Sequence, residues 1–291
     1  MSAVKMPEWG KRTYVMGILN LTPDSFSGDG LLQEKDGVAA ALAQAGRFLN
    51  EGADILDLGA ESTRPGSQPV TAGEELERLL PALQAIRRAH PQAILSVDTY
   101  KAEVAEAALS AGADWINDVW GLQADPELAA VIARHAAPVV LMHNRSRPAN
   151  AQLQERLGGR YVGMVYNDLL GEVCRGLMES VQQALTAGIR ESHIILDPGI
   201  GFGKTMEQNL ELINRLNMIR AIGYPLLLGA SRKSFIGYTL NLPSDQRLEG
   251  TAAAVAVGIV RGADIIRVHD VETMSRVARM VDAIVRQPNS K

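Results

Sequence analysis

Eight short apolar runs, each followed by a stretch of helical spacing, constrain this chain more than any other feature. The runs lie at 15–19, 55–59, 94–97, 115–119, 139–142, 194–196, 226–228 and 265–268. They are continuously apolar rather than alternating, as expected of parallel strands covered on both faces. Between them, sets such as Val38, Ala41, Leu42, Ala45, Phe48 and Leu49, or Val271, Met274, Val277, Ala278, Val281 and Ile284, repeat at helical intervals. Several runs are introduced by one local signal, Gly52-Ala53-Asp54, Gly112-Ala113-Asp114 and Gly262-Ala263-Asp264, with Gly188 and Gly223 in comparable places. Glycine suits the left-handed cap that ends a helix before the chain turns into a strand. Right-handed crossovers leave a closed barrel or an open doubly wound sheet. No linker or change of composition interrupts the 291 residues, so the expected fold is a single (β/α)8 TIM barrel. The expected domain spans 1–291, with its core at about 14–286. The longest gap, 144–193, reads as a loop over 145–163 followed by one long helix.

Each run ends in polar residues that a buried strand would normally avoid: Asn20, Glu61, Asp98, Asn117, His143, Asp197, Lys233, and Arg267 with His269. A single such residue is more often a cap or a satisfied turn. In a barrel, however, all strand ends emerge on one face, where active sites of this fold sit. Asp98, Asn117 and Asp197 offer donors and acceptors to a flat, nitrogen-rich heterocycle, and a carboxylate can take two bonds from an amidine-like edge. Arg64, Arg267, His269 and Lys233 supply positive charge for phosphate-type oxygens.

Other features exclude alternatives. Gly201-Phe202-Gly203-Lys204-Thr205 ends like a P-loop, but Pro198 stands where that pattern needs glycine. A net charge of −4 carries no basic excess for nucleic acid. No run is long enough to span a membrane, the first residues lack the apolar core of a signal peptide, and the single cysteine, Cys174, reads as packing in a reducing compartment. A cytoplasmic enzyme acting on an anionic small molecule is expected. The histidines and the lone cysteine form no zinc-type cluster, while magnesium arriving with a diphosphate needs few protein ligands.

The motifs come in an order that resembles the dihydropteroate synthase family of folate biosynthesis. They are Gly17-Ile18-Leu19-Asn20-Leu21-Thr22-Pro23-Asp24-Ser25-Phe26-Ser27, Asp57-Leu58-Gly59-Ala60-Glu61-Ser62-Thr63-Arg64-Pro65-Gly66, Ser96-Val97-Asp98-Thr99, Ile116-Asn117-Asp118-Val119, Leu196-Asp197-Pro198-Gly199-Ile200-Gly201-Phe202-Gly203-Lys204-Thr205, Ser231-Arg232-Lys233-Ser234 and Arg267-Val268-His269-Asp270. The resemblance implies condensation of 6-hydroxymethyl-7,8-dihydropterin diphosphate with p-aminobenzoate, the substrate that sulfonamides mimic, giving 7,8-dihydropteroate and pyrophosphate. It implies that Asp98, Asn117, Asp197 and Lys233 hold the pterin, with Met142 and Phe202 lining its pocket. Asn20, Arg64, Arg267 and His269 would take the diphosphate and its Mg2+, with Asn20 the metal ligand. Thr63, Pro65, Phe26 and Ser234 would border the aminobenzoate. A homodimer through the outer helices is also implied. Two places depart from the family pattern: Met142-His143-Asn144 with the loop that follows it, and Gly28-Asp29-Gly30. A methyltetrahydrofolate-dependent methyltransferase of the same barrel group would share the heterocycle residues but has no use for Arg64, Lys233 and Arg267 together. A non-catalytic pterin-binding barrel would be expected to lack some of these charges.

Overall fold

The structure is a computed structural model that describes residues 6–22, 37–62, 67 and 69–286. Among them, eight parallel strands form the barrel: β1 (Tyr14–Asn20), β2 (Ile55–Gly59), β3 (Ile94–Asp98), β4 (Trp115–Asp118), β5 (Val139–Met142), β8 (Ile194–Asp197), β9 (Leu227–Leu228) and β10 (Ile265–Val268). They neighbour one another in the order β8-β5-β4-β3-β2-β1-β10-β9. The circle closes where Leu196 bridges Leu226 in parallel, and the Leu196 N–H donates to the Pro225 carbonyl at 2.9 Å. The fold is a TIM barrel. The strands begin and end within about one residue of the apolar runs.

Helices α1 (Gly37–Asn50), α2 (Ala72–Ala89), α3 (Ala102–Ser110), α4 (Leu128–His135), α5 (Leu169–Thr186), α6 (Met206–Asn214), α7 (Leu216–Arg220), α8 (Ser234–Leu240), α9 (Leu248–Val260) and α10 (Val271–Val285) surround the barrel. Local chemistry starts them. Thr71 and Glu74 form a capping box on α2, Thr205 and Gln208 another on α6, and Asp168 caps α5. The larger apolar core lies between the strands and these helices, where Cys174 also packs, half-buried. No helix among the described residues is long and apolar enough to cross a membrane.

The loop expected over 145–163 is not structureless. It holds an antiparallel hairpin, β6 (Ala151–Gln154) and β7 (Gly158–Tyr161). Its strands are short, polar and rich in glycine, so no apolar alternation announced them. Tertiary contacts anchor them instead: Arg247 donates to the Leu157 carbonyl at 3.0 Å and Tyr238 to that of Gly158 at 3.3 Å.

The three glycine-alanine-aspartate signals build one device three times. Each glycine has positive φ, between 101° and 107°. Each aspartate then accepts from a backbone N–H of the adjacent strand: Asp54 from Val15 (2.9 Å), Asp114 from Leu95 (2.9 Å) and Asp264 from Leu226 (3.0 Å). Each also pairs with an arginine, namely Arg12, Arg87 and Arg220. This lattice lies at the N-terminal ends of the strands, the stability face of the barrel, away from the site.

Candidate active site

The barrel interior is layered, and the layers decide which side chains can meet. Tyr14, Met16, Ile55, Ile94, Trp115, Val140, Ile195, Leu227 and Ile265 form an inner apolar cluster, plugged by Met6 and Trp9. Side chains two residues apart share a face of a strand. Two positions further along, the inward set becomes Ile18, Asp57, Ser96, Asn117, Met142, Asp197, Gly229 and Arg267. One more step on the longer paths adds Asn20, Gly59, Asp98 and His269. The apolar floor thus gives way to a polar layer within one pleat.

Arg267 stands at the centre of that layer. Its Nε donates to Asp57 Oδ2 at 2.6 Å and a terminal nitrogen donates to Asp98 Oδ2 at 2.7 Å. Burial opposes its charge, yet Asp57 and Asp98 raise its pKa above the ordinary guanidinium value. Asn117 donates to the same Asp57 oxygen at 3.1 Å. Burial pushes Asp98 up to about 7; the Arg267 charge works against this and Asp57 adds to it.

On the opposite wall, Asp197 accepts from the Gly199 N–H at 2.7 Å, and burial raises its pKa. Lys233 donates to the Ile200 carbonyl, with its ammonium 4.7 Å from the centre of the Phe202 ring. Burial pulls Lys233 down to about 8, opposed by Asp197. Gly229 lies between them: a Cβ there would sit 3.7 Å from Lys233 Nζ and 3.8 Å from Asp197 Oδ2. His269 meets Ser231 through Nδ1 at 3.0 Å, and Ser234 opens α8 directly after Lys233. Met142 is buried on the inward face of β5. Asn20 ends β1 in register with Gly59, which is itself in register with Asp98.

Asp98, Asn117, Asp197, Lys233, Arg267, His269, Asn20, Met142, Phe202 and Ser234 therefore all lie around one mouth. Phe26, Thr63, Arg64 and Pro65, with Gly28-Asp29-Gly30, lie outside the described residues.

Two of the polar strand ends do not face the site. His143 follows the inward Met142, so its parity turns it outward; its ring lies against α5, where a Cβ on Gly176 would come within 2.8 Å. Glu61 binds Lys101, which also reaches the buried Glu75 at 2.5 Å. Conversely, Asp57 is fully buried inside the barrel and was not singled out from the sequence. The available signal was a carboxylate in the middle of an otherwise apolar strand. Lys204, in the segment that only ends like a P-loop, is buried too, at 2% exposure.

A mouth that joins carboxylates to a half-buried arginine narrows the possibilities, and comparison with known proteins narrows them further. Residues 16–269 match the pterin binding enzyme family. The dihydropteroate synthase of Bacillus subtilis is 48% identical, over 95% of this chain and 90% of its own.

The chain belongs to the dihydropteroate synthase family.

Solved members of that family superpose closely. The Coxiella burnetii dihydropteroate synthase in complex with pteroic acid has a TM-score of 0.83 at 37% identity, covering 96% of this chain and 95% of that one. The Xanthomonas albilineans enzyme with 4-aminobenzoic acid has a TM-score of 0.84 at 39% identity, covering 95% and 94%. The pterin binding match runs from the first barrel strand to His269, directly after the last one.

Proposed function

We infer that this chain is a dihydropteroate synthase, joining 6-hydroxymethyl-7,8-dihydropterin diphosphate to p-aminobenzoate with release of pyrophosphate. The observation that carries the reading is the polar layer above the apolar floor. There Asp98, Asn117 and Asp197 surround a half-buried, doubly anchored Arg267. Pteroic acid and 4-aminobenzoic acid in the related structures support both halves of the reaction.

In this reading Asp98, Asn117 and Asp197 orient the pterin edge-on, Lys233 donates to it, and Met142 and Phe202 cover its faces. Arg267 and His269, with Arg64, receive the diphosphate. Arg267 is fixed in advance by two carboxylates, so it needs little reorganisation as charge develops on the leaving oxygens. The reaction takes an SN1-like path. The carbon–oxygen bond breaks, diphosphate departs with the bonding pair, and the exocyclic methylene cation is delocalised into the dihydropterin. The Asp98 and Asp197 carboxylates stabilise that cation while holding the ring. The lone pair of the aniline nitrogen then forms the new carbon–nitrogen bond, and the resulting aminium releases a proton to solvent. Because the cation is so electrophilic, a weakly basic amine suffices without a strong general base.

The donor set fits a magnesium ion that arrives with the diphosphate and needs few protein ligands. Asn20 offers a hard amide oxygen at the barrel mouth, and the described residues contain no group of three His, Cys, Asp or Glu able to hold a metal. When bound, the ion would neutralise leaving-group charge, and Asn20 would be its protein ligand. Thr63, Pro65, Phe26 and Ser234 are read as the border of the aminobenzoate site.

We read the chain as one domain with its core at about 14–286, acting in the cytoplasm as a homodimer. The exposed apolar side chains Val257 and Val260 on α9 and Met280 and Ile284 on α10 support pairing through the outer helices.

The decisive experiment mixes purified protein with both substrates and Mg2+ and measures pyrophosphate. Release dependent on p-aminobenzoate, with dihydropteroate formed in equal amount, is expected. Methyl transfer from methyltetrahydrofolate, or no turnover, would overturn the reading.

A further inference from the structure

We propose that Lys204 is a positioning residue for the heterocycle pocket: its ammonium fastens the segment after β8 to the segment after β5, and so sets Phe202 and Lys233. The proposal rests on the dihydropteroate synthase reading for the identity of the ligand, but its geometry is independent of it.

Four acceptors surround Lys204 Nζ. They are the carbonyls of Gly199 (3.0 Å), Phe202 (3.0 Å) and His143 (3.3 Å), and the ring Nδ1 of His143 (3.1 Å). Two of these belong to the residue that ends the β5 path and two to the chain leaving β8. His143 accepts through Nδ1 only as a neutral imidazole with its proton on Nε2, and burial first, then the Lys204 charge, pull its pKa down to about 3. A buried ammonium is costly unless its protons are used. Burial pulls the Lys204 ammonium down to about 7, opposed by Asp197, yet all three of its protons have acceptors, and an aliphatic residue would fill the space without that cost.

The two segments lie backbone on backbone, which two glycines permit. A Cβ on Gly199 (φ +72°) would come 1.9 Å from the His143 carbonyl oxygen, and one on Gly203 (φ +61°) 2.4 Å from the Arg145 carbonyl carbon. Tyr166 adds a second fastening by donating to the Gly203 carbonyl at 3.0 Å. The fastened segment reaches the site at three points. The Gly199 N–H binds Asp197, the Ile200 carbonyl accepts from Lys233, and the Phe202 ring lies beside the Lys233 ammonium. Lys204 touches none of the reacting atoms; it acts through these three.

The test compares Lys204→Met, close in length but uncharged, with Tyr166→Phe and with Asp114→Ala, a control at the opposite end of the barrel. For each variant the melting temperature, the kcat and KM for both substrates, and the calorimetric affinity for an unphosphorylated hydroxymethyl pterin are measured. Lys204→Met should weaken pterin binding and raise the pterin diphosphate KM by about tenfold or more, equivalent to about 1.4 kcal/mol. The p-aminobenzoate KM should change much less. Asp114→Ala should lower the melting temperature while leaving pterin affinity at the wild-type value. If Lys204→Met does not fold, Tyr166→Phe decides, with about a twofold to fivefold loss of pterin affinity expected for one weakened fastening. Unchanged pterin affinity in a folded Lys204→Met, or in Tyr166→Phe when it must decide, overturns the proposal. So does an equal loss in Asp114→Ala at matched destabilisation. If the wild type releases no pyrophosphate, the functional reading fails while the pterin titrations still judge the fastening.

Discussion

Arg267 Nε lies 2.6 Å from Asp57 Oδ2, and that one carboxylate oxygen also receives the Asn117 amide at 3.1 Å. A residue assigned to the diphosphate and one assigned to the pterin thus share an anchor that touches neither ligand in our reading. The two halves of the mouth are coupled below the level of the substrates.

Asp57→Asn keeps the shape and removes the charge. It should lower affinity for both a pterin and pyrophosphate, each by about 1.5–3 kcal/mol, the usual range for a hydrogen bond to a charged group. Arg267→Gln should instead weaken the diphosphate substrate far more than an unphosphorylated pterin. Calorimetry with the two ligands separates these patterns. An Asp57→Asn protein that loses stability but binds both ligands as before would reduce Asp57 to a packing role.

Asp98 gives a pH signature. Its pKa is raised to about 7 in the folded protein, chiefly by burial. The folded state therefore holds this proton more tightly than the unfolded chain does. The stabilisation from that proton is complete below the unfolded carboxylate value of about 4 and is lost as pH rises through about 7. Binding has the opposite sign, because only the carboxylate accepts two bonds from an amidine-like edge. Pterin affinity should increase between pH 6 and 8 with a proton released on binding, seen as a buffer-dependent heat. Asp98→Asn should flatten the profile and bind more weakly throughout. A wild-type affinity that does not vary over this range would contradict the assignment.

Lys233 sets the other limb. Burial pulls its ammonium down to about 8, so the charge opposite Asp197 is lost just above neutrality. With pterin diphosphate as the varied substrate, kcat/KM should fall on the alkaline side of about pH 8, and Lys233→Met should be slow and lack that limb. An unchanged limb in the variant would assign the titration to another group.

Much of this was legible in the sequence because two signals have simple physical causes. Continuous apolar runs mark buried parallel strands, and Gly52, Gly112 and Gly262 mark helix ends. The site residues could be found at strand ends, but their direction could not be taken from residue type alone. His143 and Glu61 are as polar as Asp98, yet parity turns His143 outward, and Glu61, beyond the end of β2, pairs with Lys101. Counting pleats from the floor residues Val140 and Ile55 separates Met142 and Asp57, which face inward, from His143. That count needs the strand boundaries to the residue. Lys204 was hidden for another reason: its partners are mostly backbone carbonyls, which leave no trace in composition. The hairpin after β5 has no sequence signature, because short polar strands held by Arg247 and Tyr238 carry no periodic signal.

The N-terminal face offers a prediction in which stability and activity separate. Asp264 is buried, accepts from the Leu226 N–H at 3.0 Å and pairs with Arg220 Nε at 3.2 Å. It sits at the seam where β9 joins β10, and β9 is the two-residue strand next to the single Leu196–Leu226 bridge that closes the barrel. Asp54 makes the equivalent contacts between β1 and β2, which share a five-residue register, and its partner Arg12 is half in solvent. Asp264→Ala leaves the Leu226 N–H unpaired in the interior, at about 1–3 kcal/mol. It should lower the melting temperature by roughly 2–4 °C for each kcal/mol lost, as in domains of about 150–250 residues. Asp54→Ala should cost less, because water can replace part of what it loses and the surrounding sheet is continuous. Neither should change either KM, since both lie a full strand length from the mouth. Calorimetric melting with steady-state kinetics on the same preparations tests this. Equal destabilisation by the two variants would show that the seam is no weaker than the rest of the barrel, and a raised pterin KM in Asp264→Ala would show that closure at the floor is felt at the site.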